Sequence, residues 1–165
     1  MKKLLMLAML ATSVAIAAQE RPVFKDFTLA RHDTRERVTL SKMRGSVVLV
    51  SFWFPTCGPC LREFPYLQRA LDKFKSRGFE ILTINIVPAE DMRVMPTLKA
   101  RGVTFVPLRM PDDDFAAREY RVGGAPSNFL LDGDGRVAGK PLLHDEATAA
   151  AFEAQVDSLL KAIGR

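Results

Sequence analysis

The stretch Val47-Val48-Leu49-Val50-Ser51-Phe52-Trp53-Phe54-Pro55-Thr56-Cys57-Gly58-Pro59-Cys60 holds the only two cysteines of the chain and the local signals that decide how they are presented. Residues 47–52 form an apolar, β-branched run of the kind that fills a buried strand. Beyond Cys60, Leu61, Phe64, Leu67, Leu71 and Phe74 recur at three- and four-residue intervals before Gly78, which predicts a helix over residues 59–77. Both cysteines therefore fall at a strand-to-helix junction. Pro59 is tolerated in the first turn, where its missing amide would have no partner, while Pro65 lies further in and should bend the helix. A Cys-x-x-Cys pair in this position has a specific chemistry. The free amides and partial positive charge of the helix N-terminus lower the pKa of the first cysteine. Its thiolate can attack a disulfide, and the second cysteine is close enough to resolve the mixed disulfide that forms.

Upstream, Phe24-Lys25-Asp26-Phe27-Thr28-Leu29 and Arg37-Val38-Thr39-Leu40 alternate in polarity and are joined by polar residues 31–36, which predicts a small hairpin placed before the main fold. Residues 41–45 read as one helical turn closed by Gly45. Downstream, residues 79–87 predict a β-branched strand, followed by a loop over 88–91, a helix ending near Gly102 and a short strand over 105–109. Pro111-Asp112-Asp113-Asp114 turns the chain and caps a helix over 115–120. Asn128-Phe129-Leu130-Leu131 and Arg136-Val137-Ala138-Gly139-Lys140 flank Asp132-Gly133-Asp134-Gly135, a hairpin signal. Asp145 caps a last helix in which Phe152, Val156, Leu159, Leu160 and Ile163 share a face. Strands alternating with helices give an α/β fold with a mixed sheet covered on both sides.

The chain of 165 residues is 48% hydrophobic and 26% charged, which suits one globular domain. Met1-Lys2-Lys3, an apolar run from residue 4 to 18 and the small residues Ala15-Ile16-Ala17-Ala18 read as a secretory leader over residues 1–18, cut after Ala17 or Ala18. The apolar run is shorter than the ~20 residues of a spanning helix, so an uncleaved anchor is the weaker reading. No cysteine follows it to take a lipid. Residues 19–165 then form the folded domain. Lys plus Arg number 24 against 19 Asp plus Glu, and removing Lys2 and Lys3 leaves 22 against 19. That small, scattered excess argues against nucleic acid as a partner.

The ordered set Asp26-Phe27-Thr28-Leu29, strand 47–52, Cys57-Gly58-Pro59-Cys60, Glu63-Phe64-Pro65, Val122-Gly123-Gly124-Ala125-Pro126-Ser127, Phe129-Leu130-Leu131-Asp132 and Asp134-Gly135 resembles the thioredoxin superfamily. The likeness is to its secreted TlpA/ResA-like thiol-disulfide oxidoreductases, relatives of the AhpC/TSA redoxins. It implies a thioredoxin-like fold, a central mixed sheet with helices on both faces and an extra N-terminal β-hairpin. It also implies that the Ala125–Pro126 bond is cis and that Pro126 faces the cysteines, leaving the backbone around Gly124 and Ala125 free to pair with an extended substrate. Glu63 corresponds to an acidic residue beneath the cysteine pair that takes the proton from Cys60. The competing reading is a first-turn carboxylate that complements the helix dipole.

Trp53 reads as a packing residue that also shapes the substrate groove, with Pro55, Thr56, Gly58 and Pro59 completing the surface a substrate meets. Thr56 stands where the family usually has a second tryptophan, and its loss is expected to expose the first thiol. The resemblance further implies a periplasmic monomer acting as a reductant of cysteine-containing exported proteins such as apocytochromes. Electrons would come from a membrane donor, with no cofactor beyond the redox-active Cys57–Cys60 disulfide and no metal. Two alternatives remain: a peroxiredoxin-like thiol peroxidase, and a Sco-type copper-delivery protein, whose cysteines are spaced by three residues rather than two. Met92, Met95 and Met110 read as core fillers, and His32 and His144 as solvated loop residues.

Overall fold

The computed structural model describes residues 21–165, so the leader expected over residues 1–18 lies outside the described residues. In chain order the elements are β1 (Thr28–Arg31), β2 (Arg37–Thr39), β3 (Val47–Trp53), α1 (Gly58–Phe74), β4 (Phe79–Asn85), α2 (Asp91–Ala100), β5 (Val106–Arg109), α3 (Phe115–Tyr120), β6 (Ser127–Leu131), β7 (Val137–Gly139) and α4 (Glu146–Ala162). They build a seven-stranded sheet in the order β2-β1-β5-β4-β3-β6-β7. β3, β4 and β5 run parallel, and the flanking pairs are antiparallel.

Every residue of β3 is buried. Its side chains alternate between two cores, as a strand's period of two requires. Val47, Leu49 and Trp53 pack with Phe64, Leu67 and Leu71 of α1 and with Phe152, Val156 and Leu160 of α4. Val48, Val50 and Phe52 face the other way, onto Phe24, Phe27, Leu40 and Phe115. Helices thus cover both faces, α1, α2 and α4 on one and the short α3 with the N-terminal segment on the other. The N-terminal hairpin of β1 and β2 is present and extends the main sheet, because Ala30 and Arg31 of β1 pair with Arg109 and Leu108 of β5.

Local chemistry explains where the elements differ from the sequence reading. α1 continues through Pro65 to Phe74, with the proline on its exposed side. The carbonyl of Leu61 loses its intrahelical donor there. Gly78 closes the following 3-10 turn at φ +92°, a left-handed conformation natural to glycine. β4 ends at Asn85 rather than 87 because the Asn85 side chain turns onto the chain ahead: its Nδ2 donates to Val87 O at 2.9 Å and its Oδ1 accepts from Val87 N at 3.1 Å. Asp114 precedes α3 without a side-chain capping bond. Asp112 instead accepts from the Asp114 amide and pairs with Arg118. Asp145 does cap α4, in a reciprocal box with Thr148.

Two expectations fail. Met92 is 92% exposed and Met95 is also exposed, because α2 turns Val94 and Leu98 inward; only Met110 is buried. The His32 side chain is 3% exposed, with Nε2 3.5 Å from Asp91 Oδ1. Its amide donates to Pro107 O at 2.9 Å, which draws the turn against the sheet. Burial pushes the imidazole below its usual range. His144 is exposed, as expected.

Candidate active site

β3 delivers the chain to the cysteines, and Cys57 becomes the N-cap of α1 with extended backbone. The first-turn amides have no intrahelical acceptor, and one of them is already turned to use: Cys60 N–H donates to Cys57 Sγ at 3.2 Å. Cys57 and Cys60 are joined as a disulfide. In the reduced protein the same amide, with the helix dipole behind it, favours a thiolate at Cys57.

The pair is covered more than Thr56 led us to expect, with Cys57 3% and Cys60 1% exposed. The missing indole does not bare the thiol, because both cysteines belong to the core cluster built on Trp53, Phe64 and Leu67. Trp53 is fully buried and meets Phe64 edge-on, with ring centroids 5.1 Å apart. It supports the site from beneath and offers no surface to a substrate. Pro55 is likewise buried. The outer rim is left to Thr56, Gly58 and Pro59, all exposed, with Arg62 leaning over Gly58.

The opposite wall arrives by register. β6 runs antiparallel to β3 with Ser127 opposite Phe52, so Pro126 comes level with the end of β3 and the cysteine loop. The Ala125–Pro126 bond is cis. Gly124 is exposed and Ala125 half-buried, and among the described residues no hydrogen bond engages the Ala125 backbone. Pro126 separates two clefts. One, about 290 Å³, is lined by Pro59, Arg62, Glu63, Leu142 and His144. The other, about 340 Å³, is lined by Tyr120, Arg121, Asn128, Lys140 and Leu142. Leu142 borders both and is 56% exposed.

Glu63 follows Cys60 by three residues, which places both on one face of α1, and it is only 4% exposed. Its Oε1 accepts from Leu143 N at 2.7 Å and its Oε2 from Asn128 Nδ2 at 3.0 Å. Burial pushes its carboxyl above the usual range, against the opposing pull of those two bonds. Asn128 Nδ2 also donates to Pro141 O at 3.0 Å, and its buried Oδ1 has no partner. This carboxyl is buried on the face of α1 that carries Cys60 and is not merely a surface charge at a helix end.

Sequence reasoning missed Asn128, Leu142, Leu143 and Glu90, whose carboxylate takes both the amide and the hydroxyl of Thr56. Asn128 left a signal, as a polar residue directly ahead of the apolar run of β6. The others left none. Among the described residues no three His, Cys, Asp or Glu side chains converge as a metal site, and no helix is long and apolar enough to cross a membrane.

A cysteine pair at a strand-to-helix junction, faced by a cis-proline across a mixed sheet, defines a thiol-disulfide oxidoreductase of thioredoxin-like fold. The AhpC/TSA family model matches residues 22–140. The thiol-disulfide oxidoreductase ResA of Geobacillus kaustophilus is 32% identical over 148 residues, 90% of this chain and 80% of that protein. ResA of Bacillus subtilis is 34% identical over 102 residues, 62% of this chain but only 56% of that protein. A crystal structure from Chlorobium tepidum, of a protein assigned as the thiol:disulfide interchange protein DsbE, superposes with a TM-score of 0.74 at 31% identity, covering 85% of this chain and 96% of that one. The chain belongs to the AhpC/TSA family, among its ResA-type thiol-disulfide oxidoreductases.

Proposed function

We propose that the chain is a periplasmic reductant of disulfides in exported proteins, apocytochromes among them, and works as a monomer. The observation that carries the reading is the Cys60 amide on Cys57 Sγ, with the buried Glu63 carboxyl three residues further along the same helix. Cys57 attacks a substrate disulfide as thiolate, one substrate sulfur leaves and takes up a proton, and a mixed disulfide forms. Cys60 gives its proton to Glu63 and attacks Cys57 Sγ. The second substrate sulfur leaves as a thiol, and the Cys57–Cys60 disulfide remains. Two electrons have passed to the substrate, and a membrane donor returns the pair to the dithiol. The leader read over residues 1–18 supports export.

Pro126, with the free backbone of Ala125 and the exposed Gly124 before it, is the edge on which an extended substrate segment lies, and Leu142 is the apolar contact beside it. Thr56, Gly58 and Pro59 complete the contact surface. The reaction draws on the two sulfurs and on no further cofactor. Cys57→Ser should abolish turnover of a protein disulfide, and Cys60→Ser should trap covalent partners from a periplasmic extract. Full activity in Cys57→Ser would overturn the mechanism.

A further inference from the structure

Thr56, the residue before the nucleophile, is exposed, yet both of its hydrogen-bond donors end on one carboxylate. Its amide donates to Glu90 Oε2 at 3.0 Å and its hydroxyl to Glu90 Oε1 at 2.7 Å. The carboxylate is delivered by an anchored segment. Glu90 ends the 3-10 turn Pro88–Glu90, and Asp91 beside it is fixed by Asn85 Nδ2 at 2.8 Å and by Arg109 Nε at 3.2 Å. On the other side, the Cys57 amide closes the loop onto Phe54 O at 3.0 Å.

Two consequences follow from elementary electrostatics. The loop that leads into Cys57 is clamped from the 3-10 turn ahead of α2. A carboxylate is also bonded to the amide and hydroxyl of Thr56, one residue before the nucleophile, and its charge works against the thiolate that the helix N-terminus favours. The other charged or titratable groups around the site are Asp91, Arg109 and the buried His32 behind Glu90, Arg93 and Arg101, which share a groove with Pro55 and Thr56, and Arg62, Glu63 and His144 on the side of Pro59. The cations pull in the opposite direction, so the contribution of Glu90 has its own sign.

Resting on the exchange reading above, we propose that Glu90 is a positioning residue that holds the nucleophile's loop through Thr56 and, by its charge, biases the Cys57–Cys60 couple toward giving electrons. Reducing the disulfide takes two electrons and two protons to the dithiol, or one proton where Cys57 stays ionised. A charge that penalises the ionised form raises the thiol's pKa and makes the reduced pair the stronger donor.

Glu90→Gln tests the charge, because its amide oxygen still accepts from the Thr56 N–H. Thiolate absorbance of the reduced protein against pH gives the Cys57 pKa, and equilibration with glutathione at pH 8 gives the couple. The expected result is a lower Cys57 pKa and an equilibrium shifted on the order of tenfold toward the reduced protein, about 30 mV for a two-electron couple. Glu90→Ala, which removes charge and clamp together, should shift both in the same direction. Thr56→Val keeps the charge and loses one bond, so attack on a small disulfide should slow about threefold, as for a weakened hydrogen bond, while the pKa stays near wild type. A pKa and equilibrium within twofold of wild type in folded Glu90→Gln, or a shift in the opposite direction, overturns the proposal. Both measurements are made on the free protein, so they stand apart from the turnover assays of Cys57→Ser.

Discussion

Replacing Glu63 by glutamine separates its two effects, on proton transfer and on stability, and the structure sizes both. The substituted amide would keep an oxygen for the Leu143 N–H but turn an NH2 toward Asn128 Nδ2, which now donates to Glu63 and to Pro141 O. Asn128 can relieve that contact by turning its amide over, since its Oδ1 has no present partner. The exchange gives up the bond to Pro141 O, a loss of about 1 kcal/mol. Against this, the variant no longer has a carboxylate to ionise in the core.

The folded pKa of Glu63 is raised, so the folded state keeps a proton that the unfolded chain sheds near pH ~4.3. The stability from the protonated form is therefore full below that pH and is lost as pH rises toward the folded pKa, by about 1.4 kcal/mol per unit of separation. Urea unfolding should show wild type the more stable near pH 4, with the gap closing or reversing by pH 8 as Glu63→Gln stays flat. In stopped-flow single turnovers the resolving step should slow by about 10²-fold, the lower end for general acid–base catalysis, with the mixed disulfide accumulating. Resolution within twofold of wild type, together with a stability difference that does not change with pH, would refute the role given to Glu63.

Trp53→Ala should cost about 3–5 kcal/mol by urea denaturation. Trp53→Phe should cost less than half of that, because it keeps the ring against Phe64 and removes an indole N–H that has no partner. Asp145→Ala should lower stability by about 1 kcal/mol through loss of the α4 capping box, with exchange activity unchanged. Leu142→Asp should raise KM for a protein disulfide several-fold while leaving the rate with a small disulfide reagent near wild type; equal effects on both would remove Leu142 from the substrate surface.

Features set by short-range chemistry were legible in the sequence. The apolar run into Cys57, the three-and-four spacing after it, the Asp-Gly turn and the Asp145 cap each depend on a few adjacent residues, and all appear in the fold. What stayed hidden depends on distant partners. Thr56 reads as an exposed polar substitution until Glu90, 34 positions away, is brought against it. The Glu63 carboxyl is fixed by a backbone amide 80 positions away, which no side-chain pattern can announce. Depth was the other missing quantity. Trp53 and Pro55 border the cysteines in sequence but are buried, and His32 occupies a polar turn whose position in the sheet depends on β1 pairing with β5.

The near-complete cover on Cys57 and Cys60 sets a geometric filter on what can react. A sulfur flush with its surroundings must be met by a disulfide that projects from its own chain, since linear approach along the S–S axis leaves no room for a second globular surface. Folded proteins with recessed disulfides are screened out by shape alone, before redox potential has any say. Disulfides carried on extended backbone pass the filter.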